Sequence, residues 1–252
     1  MNSIVFDTET VNLEKPFCYN IGYAIYNTDS REILARKDFV VEQVWHNPML
    51  FITAYYATKK ELYISRLKGR SCIMDKFGYI TQQMYRDIKE FEIQHAFAYN
   101  SDFDVRVFEF NCDWFKCINP LELVTVHDIR GQVHNKIAFT EAYQSFCEEN
   151  ELYTDSGNYA TTAEAVYKFL KDDKDFNEEH TALADSIIEL DILRYCIDEG
   201  CEWTTDYKVY KTIPKKTPKE YEVIDAEGTS HKFPYTSKRK ITNGDGVKLK
   251  LN

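Results

Sequence analysis

The sequence predicts an α/β protein, a mixed sheet flanked by helices, with a small β-rich appendage at the C-terminus. Three observations lead there. Short apolar, β-branched stretches open the chain at residues 3–6, 18–26 and 32–41, the last two separated by the turn signal Asn27-Thr28-Asp29-Ser30. Beyond residue 80, helical periodicities alternate with short apolar strands. After Cys201 the pattern shifts to alternating residues broken by turns.

In chain order, residues 3–6 read as a buried strand because they are apolar and β-branched. Residues 18–26 and 32–41 then form a hairpin, which makes at least part of the sheet antiparallel. Residues 45–69 are aromatic and mixed, with helical leanings. Residues 80–92 read as a helix with Ile80, Met84, Ile88 and Phe91 on one face. Residues 96–100 are a second short apolar strand, followed by a polar turn and a helix from about residue 102. Another strand is expected near 123–126 and a helix over 140–150. Thr161-Thr162-Ala163-Glu164 reads as a capping box opening a helix over 163–170. Residues 180–199 carry the last long helix, with Leu183, Ile187, Leu190 and Leu193 at helical spacing.

Composition bounds the rest. At 252 residues with 44% apolar residues, 16 Phe and 18 Tyr, the chain can build a sizeable core. No apolar run approaches 18 residues, so no membrane span is expected. A core strand from about Ser3 leaves no room for a signal peptide. Seven cysteines without a metal-like spacing suit a reducing cytoplasm, most of them as small buried hydrophobes. Net charge is −10, unevenly spread. Residues 203–252 hold 11 Lys and Arg against 6 Asp and Glu, a surplus of five, so the body carries −15. An acidic body argues against tight, sequence-independent duplex binding, which needs many phosphate contacts. It leaves room for an enzyme that grips a few nucleotides through metals. We therefore divide the chain into a catalytic-type domain over 1–201 and a basic, β-rich extension over 202–252. The extension is expected to act as an accessory element without metal ligands.

The chemistry is concentrated in a few residues. Asp7 and Glu9 are two apart on the first strand, so both carboxylates share a face. Two such groups repel each other, and a divalent cation with a preference for hard oxygen ligands relieves that. Asn100-Ser101-Asp102-Phe103-Asp104 follows the second strand, and His180-Thr181-Ala182-Leu183-Ala184-Asp185 opens the last helix.

These three motifs, in this order over residues 3–200, resemble the DEDD-type 3′→5′ exonucleases of the histidine subclass. The proofreading epsilon subunit of bacterial DNA polymerase III, RNase T and oligoribonuclease belong to it. The resemblance implies a ribonuclease-H-like fold and two divalent metal ions, Mg²⁺ or Mn²⁺. Asp7, Glu9, Asp104 and Asp185 would be the ligands, with Asp7 bridging the ions, and His180 the general base. Asp102 competes with Asp104; the family pattern places the ligand after Phe103, leaving Asp102 to cap the helix. Asp128 reads as a turn residue beside the site. Thr8, Thr10, Asn100 and Phe103 are candidate contacts to the terminal nucleotide. The family often continues after its first motif with Thr-Gly, whereas Val11-Asn12-Leu13 follows Thr10 here. His46, His95, His127, His134 and His231 read as structural or surface residues.

The implied activity is removal of nucleoside monophosphates from single-stranded 3′ ends, DNA favoured over RNA, in proofreading. An exoribonuclease is the second reading, and a non-catalytic binding or scaffold protein on the same fold the third. A polymerase or a second copy of the chain would be its protein partner. The Asn-, Lys- and Tyr-rich composition resembles phage-encoded members, which would place the protein in a host cytoplasm.

Overall fold

In the computed structural model, residues 1–54 and 57–200 are described in full. Residues 220–224, 230–234 and 248–250 are described as backbone strands. The chain falls into two compact units, residues 1–137 with 161–211, and residues 138–160 with 212–252.

The first unit is built on a six-stranded sheet. Its elements in order are β1 (Asn2–Thr10), β2 (Cys18–Asn27), β3 (Ile33–Val41), the short α1 (Glu42–Trp45) and α2 (Pro48–Phe51), and α3 (Lys60–Gly69). β4 (Ile73–Asp75), α4 (Phe77–Glu90), β5 (His95–Ala98), α5 (Asp102–Phe115), β6 (Thr125–Asp128) and α6 (Ile129–Lys136) follow. The second unit carries α7 (Glu141–Glu149), whose N-terminus is capped by the Thr140 hydroxyl. The first unit resumes with α8 (Ala163–Lys171) and α9 (Ala182–Asp198). In the second unit β7 (Glu220–Ile224) lies between β8 (Ser230–Pro234) and β9 (Lys248–Lys250), antiparallel to both.

The large sheet has the order β4-β3-β2-β1-β5-β6. β1, β2 and β3 run antiparallel, while β4, β5 and β6 join in parallel, so the sheet is mixed and helix-flanked as expected. The strand alternation decides which helix lies on which face. Phe6 meets Phe108 of α5 edge to face, and Tyr23, its register partner, donates to Asp87 of α4. Asp7 and Glu9 point to the other face, where α9 packs across β1 and β2.

Several local readings change. β4 was not expected; three residues carry too little periodicity to register. The sixth strand starts at Thr125, because Pro120–Leu123 winds into a 3₁₀ turn capped by Asn119. The capping box at Thr161 and Glu164 does not form. Thr162 caps α8 instead, Thr161 is buried against His134, and Glu164 pairs with Lys168. Asp102 is the first residue of α5, not its side-chain cap; Ser101 holds the cap position. Exposed in the first turn, Asp102 still opposes the positive end of the helix dipole. The six cysteines among the described residues are free, and five are buried. Among those residues no helix is long and apolar enough to cross a membrane. The turns expected around 225–228 and 243–246, and the charge of the extension, lie outside the described residues.

Candidate active site

The site forms where the C-terminal end of β1 meets the first turns of α5 and α9. β2 is what brings α9 so close. Gly22 is the register partner of Asp7, and Asn20 that of Glu9, so all four residues lie on one face. A Cβ on Gly22 would stand 2.0 Å from the backbone nitrogen of Leu183, so only glycine lets α9 descend onto the sheet here. Asn20 then accepts from the backbone N–H of Ala182 at 2.8 Å, capping α9 from a neighbouring strand. Its Oδ1 also accepts from the Tyr63 hydroxyl of α3. Thr181, the residue at the N-cap position, is otherwise engaged: Arg66 donates to its hydroxyl, which donates to Glu179.

This docking gathers Asp7, Glu9 and Asp185, with an oxygen of each within 4.8 Å of the others. Asp104 lies outside that group of three, across β1 at the N-terminal turn of α5, and its charge acts on Asp7 and Glu9. Both the N–H and the hydroxyl of Thr8 donate to its Oδ1, at 3.1 and 2.6 Å. Thr8 is buried and its hydroxyl is engaged there, so it orients Asp104. Thr10 is partly exposed and Asn100 exposed, Asn100 in a left-handed conformation with its N–H on Asp128. Phe103 packs against the core with the Arg106 guanidinium over its ring. Asp128 is buried and caps α6, accepting from Arg130 as well.

His180 precedes α9 in a left-handed backbone conformation, φ 54°, which turns the chain sharply before the helix. Its backbone N–H bonds to the Asp185 carboxylate. Its Nδ1 lies 3.6 Å from Glu178, and Glu164 completes a second cluster with these two. Burial, then Lys59, hold the imidazole below its usual pKa, so it is neutral at neutral pH.

The carboxylates are strained electrostatically. Burial, with Asp104, Glu189 and Asp185 adding to it, pushes Asp7 well above the usual range. Burial and Asp185 push Glu9 to about 9, and burial and Glu178 push Asp185 to about 8. Asp104 rises only to about 7, because the Thr8 hydrogen bonds oppose the cost of burial. Lys59, at the start of α3, opposes the rise at Glu9, Asp185 and Glu178. The donor set is all carboxyl oxygen, mutually repelling when ionised, and Oδ1 of Asp185 is buried without a hydrogen-bond partner. Such a set fits a hard divalent cation such as Mg²⁺ or Mn²⁺.

Sequence reasoning missed Asn20, Gly22, Lys59, Glu178 and Glu189. Asn20 and Gly22 share the period of two with Asp7 and Glu9 on a paired strand, a signal visible only once the register is known. Glu189 lies one helical turn beyond Asp185, a spacing that the sequence does display.

No family model matches the chain, and no match is found among curated proteins. Solved structures do resemble it. A 3′-exonuclease in 3′-end specific recognition of the histone mRNA stem-loop aligns over 96% of this chain and 93% of its own, with TM-score 0.55 and 13% identity. The nuclease domain of 3′hExo, a DEDDh family member bound to rAMP, aligns over 85% and 96%, with TM-score 0.50 and 13% identity. A full-length 3′-exonuclease aligns over 92% of this chain and 66% of its own, with TM-score 0.51 and 14% identity. The chain thus has the ribonuclease-H-like fold of the DEDDh 3′-exonucleases. At such identities the likeness is one of fold.

Proposed function

We propose that the protein is a metal-dependent 3′→5′ exonuclease acting on single-stranded 3′ ends. The observation that carries this is the meeting of Asp7, Glu9 and Asp185 within 4.8 Å of one another. Asp104 on Thr8, and His180 in the neighbouring cluster with Glu164 and Glu178, add to it. Asp7, Glu9, Asp104 and Asp185 would hold two Mg²⁺ or Mn²⁺ ions. Bound there, the ions supply the positive charge that offsets the phosphoryl group and acidifies water.

The chain's own residues supply the rest. His180, neutral and held by the turn before α9, takes a proton from the attacking water at Nε2, with Nδ1 directed toward Glu178. Thr8 lowers the cost of ionising Asp104 through its two hydrogen bonds. Thr10, Asn100 and Phe103 border the place of the terminal nucleotide. We assign residues 1–201 to the nuclease and 202–252 to an accessory extension.

The site's geometry serves DNA and RNA equally, since discrimination lies in contacts to the 2′-hydroxyl. DNA is the reading from sequence, and a proofreading role with a polymerase partner belongs to it. The two neighbours described with histone mRNA and rAMP support RNA as the second reading. Matched single-stranded DNA and RNA, labelled at the 5′ end, separate them. Stepwise shortening of DNA at the higher kcat/KM supports the first reading; a preference for RNA replaces it with the second. Both strands left intact in Mg²⁺ and in Mn²⁺ would overturn the proposal.

A further inference from the structure

Glu189 is 4% exposed on the buried face of α9, among Ile188, Leu190, Ile192 and Leu193. It sits one turn beyond Asp185, so the two carboxylates stand on the same stripe of the helix. The Tyr99 backbone N–H bonds to it, while its Oε2 is buried with no hydrogen-bond partner. The charges that raise its pKa, besides burial, are the acids Asp104 of α5, Asp185 and Glu178, and it in turn raises Asp7 of β1.

Such a residue is costly. An unpaired buried carboxylate loses its hydration, and neighbours of like charge add to the penalty. A leucine at this position would pack with its neighbours and avoid both costs. The orphaned oxygen and the orphaned Oδ1 of Asp185 belong to residues four apart on α9, which share one face of the helix. A cation in the acidic cluster is the partner that both oxygens lack. Glu189 is outside the group whose oxygens meet within 4.8 Å, so water bound to the ion would bridge the gap.

Building on the metal site proposed above, we infer that Glu189 is a fifth acidic group of that site, holding the hydrated side of the ion and raising its affinity. It is a positioning residue, and its effect is on the ion before any substrate binds.

The test is Mn²⁺ titration of the full-length protein without nucleic acid, followed calorimetrically, alongside melting of the metal-free and Mn²⁺-saturated forms. Wild type, Glu189→Gln and Asp7→Asn are compared. Glu189→Gln keeps the shape and the bond from Tyr99 but removes the charge. It should lower Mn²⁺ affinity by about 10-fold or more, the usual effect of losing an outer-shell partner. Its metal-free melting temperature should stay level or rise, and the stabilisation by Mn²⁺ should shrink. Weaker Mn²⁺ binding by Asp7→Asn with unchanged binding by Glu189→Gln would overturn the inference while leaving the metal site standing. Unchanged binding by both would overturn the metal site as well.

Discussion

The bare Cα of Gly22 sits where a Cβ would be 2.0 Å from the backbone nitrogen of Leu183, directly across the β1–β2 ladder from Asp7. One missing methyl group thus sets the distance between the strand and the helix that together supply Asp7, Glu9 and Asp185.

Gly22→Ala should therefore damage both stability and activity. The clash is with backbone, which cannot rotate away, so α9 must lift from the sheet. A loss of about 3 kcal/mol or more is expected, the upper end for overpacking. Thermal melting and turnover measure it. A variant that melts and cleaves as wild type does would show that α9 is not seated on Gly22.

Asp104 and Asp102, two residues apart, should differ sharply. Asp104 is 2% exposed and held by Thr8, while Asp102 faces solvent. Asp104→Asn should lose nearly all turnover, and Asp102→Asn should lose little. Thr8→Val, lacking the hydroxyl donor, should push Asp104 higher and move the acid limb of the pH–rate profile upward. Equal damage from the Asp102 and Asp104 changes would undo the assignment.

The metal-free protein should lose stability as pH rises. Glu9, Asp185 and Asp104 titrate at about 9, 8 and 7, against ordinary values near 4. A carboxyl group whose folded pKa is raised contributes its full stability below the unfolded pKa and loses it as pH rises through the folded one. Between about pH 5 and 9 the metal-free melting temperature should fall, and saturating Mg²⁺ should flatten the slope. A metal-free protein that becomes steadily more stable over that window would contradict this.

Lys59 makes a two-sided prediction. Its charge opposes proton uptake by Glu9 and Asp185, so it also opposes a cation there. Lys59→Met should raise Mn²⁺ affinity without nucleic acid by about threefold, the scale of a charge several ångströms away in a wet site. If the scissile phosphate binds at these carboxylates, the same change should also raise KM, because a positive charge near them is lost. Unchanged values of both would place Lys59 too far away to matter.

Much of this was legible in the sequence, for reasons that differ by element. The hairpin and α4 declare themselves through alternation and through Ile80, Met84 and Ile88, which are buried as their spacing requires. Asp7, Glu9 and Asp185 could be named because short motifs fix them locally. What stayed hidden depends on register and docking. Nothing local marks Gly22 as the seat of α9, or Asn20 as its cap, until β2 is paired with β1. The capping box at Thr161 misled because Thr162 is an equally good cap one residue later. Asp102 misled because α5 begins one residue earlier than a cap there would need.

A single strand labelled on its 3′-terminal nucleotide, followed over a single turnover in Mg²⁺, brings these elements to one readout. If Asp7, Glu9, Asp104 and Asp185 hold the ions and His180 is the base, the label is released as a mononucleotide before any longer product forms. EDTA, Asp7→Asn or Asp185→Asn should each abolish that release, and His180→Ala should reduce it severely. Label appearing first in oligonucleotides, or mononucleotide release that survives EDTA and both carboxylate changes, would contradict a metal-dependent 3′→5′ exonuclease at this site.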